Sequence, residues 1–331
     1  MITDFHTHAV PRDFPPDDGG EALWPSMRRL SDTEAEVVIA GRVFRRIDSR
    51  SWDAGRRLAD MDRDGIDRQV LSPMPELLSH WFAPKPAQRI CGHLNQSLAD
   101  MVAAQADRLA AYGAVPLQAP DVAAAEVRNL SAAGFAGIEI GSHVNGLPLG
   151  DRSLDPVYAA AEAEGMVVMV HALYPAGLDR VGAGADAAVS LFPMESTLAA
   201  LSMLTGGVLA RFPGLRILLA HGGGALPILS ARLRQVQTCV SPPHLAGCGG
   251  DAAELSRNLH VDSIVYDAEV LRFVAARQRP GRVVMGSDYP FAVMQTDPAG
   301  FVRGALGADA AAVLSRQPDL SDDLSASGKE A

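Results

Sequence analysis

The chain has 331 residues, 48% hydrophobic and 21% charged, with a net charge of -10 at neutral pH. An acidic chain without basic runs is a poor partner for nucleic acid or an anionic membrane, so neither is expected as a ligand. Three scattered cysteines, Cys91, Cys239 and Cys248, build no disulfide framework, and no leader-like apolar stretch precedes the first strand, so the expected compartment is the cytoplasm.

Short apolar runs alternate with longer amphipathic ones along the whole chain. The first strand is Met1–Phe5. A long excursion over residues 10–50 follows, in which Glu36–Ile39 and Val43–Ile47 flank Ala40-Gly41-Arg42 as a small hairpin. Helix Trp52–Asp64 then leads to strand Gln69–Leu71, and helix Pro86–Gln105 to strand Ala111–Val115. Helix Val122–Ala133 leads to strand Gly137–Ile140, and helix Leu154–Glu164 to strand Val167–Val170. Helix Glu195–Phe212 leads to strand Arg216–Ala220, and helix Ala225–Gln235 to strand Leu259–Val261. Helix Ala268–Gln278, strand Arg282–Met285 and helix Ala299–Leu314 complete the series. A Pro/Gly/Cys-rich loop occupies residues 239–258, and the polar tail 317–331 has no periodicity and reads as disordered. No apolar run reaches the roughly 18 residues a membrane helix needs.

Strands such as Val167–Val170 are continuously apolar, which means burial on both faces and hence a parallel sheet. Eight strand–helix units predict an α/β chain folded as a (β/α)8 TIM barrel, one domain over residues 1–316 with the 10–50 insertion after strand 1.

Barrels of this kind carry their active groups at the C-terminal ends of the strands. Here strand 1 ends in His6-Thr7-His8, strand 5 in His171, strand 6 in His221 and strand 8 in Gly286-Ser287-Asp288. The period-two repeat of an extended chain puts His6 and His8 on one side. Those two imidazoles, His171 and the Asp288 carboxylate suit one divalent ion, zinc above all. His221 beside them is the candidate acid/base, and Asp288 doubles as a catalytic group. Trp81, with His80, and His143 are placed to line a substrate pocket, and Asp262 and Ser263 to stand behind the ligands. Cys239, His244 and Cys248 match no standard zinc spacing.

The motifs Asp4-Phe5-His6-Thr7-His8, His171 after Val-Val-Met-Val, His221-Gly222-Gly223-Gly224 and Gly286-Ser287-Asp288-Tyr289-Pro290-Phe291 together resemble the amidohydrolase superfamily. They are most similar to its branch of 2-amino-3-carboxymuconate-6-semialdehyde decarboxylase and related metal-dependent decarboxylases and cyclases. The resemblance runs from Asp4 to about Pro290. It implies a homodimer in which Arg45, in the insertion, and Arg232, delivered across the dimer interface, hold a substrate carboxylate. Binuclear members of the superfamily use a strand 4 lysine. Strand 4 here has Glu139 instead, so a mononuclear site is implied, with Glu139 a buried acceptor. The family's Asn-Ala closing helix has no counterpart in Val313-Leu314-Ser315-Arg316-Gln317.

The expected reaction is metal-dependent, non-oxidative decarboxylation of a small aromatic or unsaturated, muconate-type carboxylate, using a water activated by the ion and His221. The alternative is hydrolysis or cyclising dehydration of an aryl ester or amide, such as benzoxazole formation from a 3-hydroxyanthranilate-type ester. Fold and ligands do not separate these outcomes. The complete ligand set argues against a barrel that binds without turnover.

Overall fold

The computed structural model describes residues 1–181, 186–240 and 247–314. Eight parallel strands form one sheet in sequence order: β1 (Thr3–Ala9), β2 (Arg68–Pro73), β3 (Leu109–Ala114), β4 (Gly137–Gly141), β5 (Val167–His171), β6 (Arg216–Leu219), β7 (His260–Asp262) and β8 (Val283–Val284). The ring closes where Phe5 N donates to Met285 O at 2.9 Å and His8 N donates to Tyr289 O at 2.7 Å. Each strand is followed by a principal helix: α1 (Ala54–Asp64), α2 (Pro84–Ala104), α3 (Pro120–Ala132), α4 (Asp155–Ala163), α5 (Phe192–Thr205), α6 (Leu226–Cys239), α7 (Ala268–Arg277) and α8 (Pro298–Leu306). The expected (β/α)8 barrel is therefore the fold.

The apolar strands serve two cores at once. Val168, Val170, Ile217, Leu219 and Val261 face outward into the layer beneath the helices. Val167, Met169, Leu218, Val284 and Tyr112 face inward and fill the barrel. Inward positions therefore recur with period two, and His171 lies on the same face as Met169 at the strand end. Strand β1 departs from this rule through a register shift between Asp4 and Thr7. Phe5 packs inside the barrel, and the irregularity then turns the next residue, His6, inward as well.

The structure revises several expected elements. The insertion is not a lone hairpin. Ser26–Arg29 pairs with Glu34–Ile39, which pairs with Arg42–Asp48, giving a three-stranded antiparallel sheet. Ala40 and Gly41 at its turn have φ of 52° and 71°, the left-handed geometry that a tight hairpin demands. The helix expected over 195–212 breaks at Gly207 (φ 73°), and that over 299–314 breaks at Gly307 (φ 56°). Ala187–Thr205 is long and apolar enough to cross a membrane by length and composition, contrary to the sequence expectation. Its buried face carries Glu195, Ser196 and Thr197, and Glu195 accepts hydrogen bonds from Ser142 Oγ at 3.0 Å and Ala176 N at 3.1 Å. Those are the contacts of a helix packed on a polar barrel rim. His244 and the tail 317–331 lie outside the described residues.

Candidate metal centre

The ligand candidates from three strand ends converge. One atom from each of His6, His8, His171 and Asp288 lies within 4.8 Å of every other, and all four residues are buried. His6 Nε2 and His8 Nε2 are 3.0 Å apart, and Asp288 Oδ1 is 3.6 Å from the first and 3.1 Å from the second. His171 Nε2 and Asp288 Oδ1 are buried without a hydrogen-bond partner.

The opposite edge of each ring explains the convergence. His6 Nδ1 donates to Asp262 Oδ2 at 2.6 Å, His8 Nδ1 to Pro73 O at 2.9 Å and His171 Nδ1 to Ala172 O at 2.9 Å. Each Nδ1 carries the proton outward, so all three Nε2 lone pairs face the same point. Three imidazole nitrogens and one carboxylate oxygen around one point, with two of those atoms otherwise orphaned, fit a single divalent ion.

Charge follows the same plan. Burial opposes ionisation of His6, but the Asp262 hydrogen bond and charge outweigh it and raise its pKa. Burial lowers His8 to about 4 and takes His171 well below the usual imidazole range, so both are neutral ligands. Burial alone would raise Asp288, yet the surrounding imidazoles hold it below the usual carboxylate range.

His221 stands at the wall of this cluster, its ring centroid 5.0 Å from that of His171 and 5.6 Å from that of His6. Its Nδ1 is buried without a partner. Asp262 fixes the backbone here, accepting from His221 N at 2.9 Å and from Gly222 N at 2.8 Å. One carboxylate thus aligns both a ligand and the acid/base candidate. The glycines behind it are needed for space. A Cβ on Gly224 would lie 2.0 Å from Pro193 O, and one on Gly222 2.5 Å from Val265 Cγ1. Burial lowers the His221 pKa, with Asp288 acting against it.

The remaining sequence candidates fall around the mouth. Arg45 comes from the last strand of the insertion, with its guanidinium carbon 4.1 Å from the ring centroid of Phe291. Phe291 in turn stacks on His8, with centroids 4.7 Å apart and planes 15° apart. Trp81 stands edge-on to Tyr174 at 4.8 Å. Both nitrogens of His143 meet backbone: Nδ1 accepts from Gly146 N at 3.1 Å and Nε2 lies 3.2 Å from Tyr174 O. Within this chain His143 is a strut for the Tyr174 loop. Arg232 is exposed on α6, and the single chain does not bring it to the cluster. Glu139 is fully buried, with the Ser72 hydroxyl beside its carboxylate. It does not join the metal-ligand cluster, which agrees with a mononuclear site.

Two residues escaped the sequence reading. Arg57 is fully buried and donates to His8 O at 2.6 Å, Arg50 O at 3.0 Å and Gln69 Oε1 at 3.1 Å, locking the strand that carries His6 and His8. On an amphipathic helix it looks like any surface arginine. Glu76 accepts from Arg45 at 3.1 Å from a short turn after β2, where nothing in the sequence marks it.

Four convergent ligand atoms at the mouth of a parallel barrel define a mononuclear metal-binding protein of the (β/α)8 class. A sequence model of the amidohydrolase family matches residues 3–325, and the chain belongs to that family. It is 33% identical over 304 residues to the 2-amino-3-carboxymuconate-6-semialdehyde decarboxylase of Dictyostelium discoideum, covering 90% of this chain and 84% of that one. The solved 5-carboxyvanillate decarboxylase of Sphingomonas paucimobilis is similar at 29% identity and a TM-score of 0.71, with 79% of this chain and 80% of that one covered. A second 5-carboxyvanillate decarboxylase, from Novosphingobium aromaticivorans and solved with bound manganese, shares the fold at a TM-score of 0.75, 20% identity and coverage of 96% and 95%.

Proposed function

We propose that the protein is a metal-dependent, non-oxidative decarboxylase of a small aromatic or muconate-type carboxylic acid. The observation that carries this reading is the stack His8–Phe291–Arg45, which sets a guanidinium one ring away from a metal ligand. A carboxylate held there would meet a cation whose fork is built for oxyanions. Its named relatives, decarboxylases of carboxymuconate and carboxyvanillate acids, support the same chemistry.

His6, His8, His171 and Asp288 would hold the ion. A divalent ion supplies Lewis-acid stabilisation of the charge that develops on the substrate. Arg45 fixes the carboxylate, and Phe291 gives its flat skeleton a face. His221, neutral at rest because burial lowers its pKa, would take up a proton from solvent and deliver it to the carbon that bears the carboxylate. The bond to that carboxylate then breaks, its electron pair returns to the ring or chain, and CO2 leaves. Zinc suits the three-imidazole, one-carboxylate set, with manganese, present in the Novosphingobium relative, as its rival.

We also propose a cytoplasmic homodimer whose interface includes α5 and α6. Leu198 on α5 and Ile228 on α6 are 52% and 67% exposed, and burying such apolar surface favours pairing. Arg232 on the same face would then serve the partner's substrate carboxylate.

The test is to load purified protein with zinc or manganese and supply hydroxy- and aminobenzoates in heavy water. One CO2 per product, with one deuterium at the carbon that carried the carboxylate, is the expected result. Cleavage or cyclisation of an aryl ester or amide without CO2 release would overturn the proposal in favour of a hydrolase or cyclase.

A further inference from the structure

Among the described residues, each of the last four barrel strands is followed by one non-glycine residue in the left-handed region. These are Tyr174 (φ 44°) after β5, His221 (57°) after β6, Tyr266 (58°) after β7 and Asp288 (66°) after β8. Bulky side chains rarely adopt this geometry, and it persists only where the surroundings over-determine it. His221 and Asp288 already have roles. The other two are tyrosines, and Tyr174 is the one fixed from several sides. The chain from His171 to Ala176 is pinned almost residue by residue. His171 Nδ1 donates to Ala172 O at 2.9 Å, Leu173 N to Ser142 Oγ at 3.2 Å and Ala176 N to Glu195 Oε1 at 3.1 Å. His143 supplies the pin at Tyr174 itself. Its Nδ1 accepts from Gly146 N at 3.1 Å, so its Nε2 carries the proton and donates to Tyr174 O at 3.2 Å. The hairpin that presents His143 is anchored in turn by Asn145, whose Nδ2 donates to His80 O at 2.8 Å.

These pins hold the Tyr174 ring edge-on to Trp81, with centroids 4.8 Å apart and planes at 86°. The pair joins the loop after β5 to the loop after β2 at the mouth of the barrel. Tyr174 is still 42% exposed, and among the described residues none hydrogen-bonds its hydroxyl. Burial and the charge of Glu76 push its pKa up to about 12, so the phenol keeps its proton and is a donor. Glu76 is also the partner of Arg45, at 3.1 Å. A phenol donor and a guanidinium thus both lie within reach of one carboxylate's charge, on the side of the mouth where the substrate acid is placed.

Resting on the carboxylate reading above, we propose that the Tyr174 phenol donates a hydrogen bond to a second oxygen of the substrate while Arg45 holds the carboxylate. The site therefore prefers acids that carry such an oxygen, as a ring hydroxyl or a further carboxylate, over acids that carry none. Tyr174 is a specificity-determining residue, and His143 is the positioning residue that keeps it in its strained conformation.

The test measures equilibrium binding to the metal-loaded full chain by calorimetry. The probes are benzoate, 3-methylbenzoate, 3-hydroxybenzoate and the 1,2-, 1,3- and 1,4-benzenedicarboxylates. At least one oxygen-bearing probe is expected to bind about tenfold more tightly than benzoate and 3-methylbenzoate. Tyr174→Phe keeps the ring and removes the donor. It is expected to cut that advantage about fivefold, the size of one net hydrogen bond, and to leave benzoate binding unchanged. His143→Ala is expected to cut the advantage in the same direction, and His143→Gln, which keeps an N–H donor, to restore part of it. The double variant Tyr174→Phe/His143→Ala is expected to lose no more than Tyr174→Phe alone, because His143 acts through Tyr174. An advantage unchanged in Tyr174→Phe overturns the proposal, and an additive loss in the double variant overturns the role of His143. If benzoate binds wild type but a second oxygen adds nothing, only this inference fails, and no variant is needed to show it. If none of these acids binds, the carboxylate reading fails with it.

Discussion

On the β1, β5 and β8 side of the mouth, each ligand histidine has one nitrogen tied back to the protein and the other aimed at a shared point. On the β2 and β4 side, His80 and Glu139 are buried and Glu76 gives one oxygen to Arg45 at 3.1 Å. The first side is finished as a ligand set, because three hydrogen bonds settle three tautomers at once. The second side carries Arg45, the cation proposed for the substrate carboxylate, held by Glu76. The contrast separates what would hold the metal from what would select the acid.

The largest effect should come from breaking the finished side. Wild type is expected to hold about one ion per chain and a His6→Ala/His8→Ala double variant none, as metal analysis of dialysed protein would show. Equal metal in both would end the assignment. Next, His221→Ala is expected to lower kcat by about 10²–10⁴-fold, the usual contribution of a general acid or base, with metal content unchanged. Loss of the ion in that variant would mean that His221 is a ligand instead. Asp262→Asn keeps the shape but removes the charge behind His6, and metal affinity in a competitive chelator titration is expected to fall about 10–100-fold. On the selective side, Arg45→Ala is expected to raise KM by about tenfold while metal content stays constant, and Arg45→Lys to restore only part because it lacks the bidentate fork. A kcat effect without a KM effect would place Arg45 away from the ground-state carboxylate.

The smallest effect concerns pH and stability of the metal-free protein. Burial lowers His8 and His80 from 6.5 to about 4 each. Between those values the unfolded chain binds protons that these two imidazoles refuse when folded, so their share of the stability falls as pH drops through that window. Asp4, raised to about 7, and Glu139, raised well above the carboxylate range, act in the opposite sense, so the imidazole share is read as a difference: His80→Phe should gain Tm relative to wild type as pH falls from about 6.5 to 4. A difference independent of pH across that range would show that His80 is not held neutral.

Much of the centre was legible before any coordinate. Continuous apolar runs identified parallel strands, and the strand ends bearing His6, His8, His171, His221 and Asp288 marked one rim of a barrel. The position of Asp262 behind the ligands was also readable from its place at the end of β7. The sequence was silent about Glu76 and Arg57, since an acid in a turn and an arginine on an amphipathic helix have ordinary surface explanations. It also misjudged the insertion, because Ser26–Arg29 is short and polar and becomes a strand only by pairing with Glu34–Ile39.

The sequence alone determined the architecture and the identity of the ligands, because both depend on local periodicity and on where a strand stops. Tertiary structure alone decided how those ligands point. The irregularity in β1 turns His6 inward beside Phe5, and Asp262, 256 positions away, sets its tautomer. It also decided that Arg45 rides on Phe291 and that Glu76 meets Arg45, because those contacts join an insertion, a turn and the strand 8 loop that no pattern within one segment links.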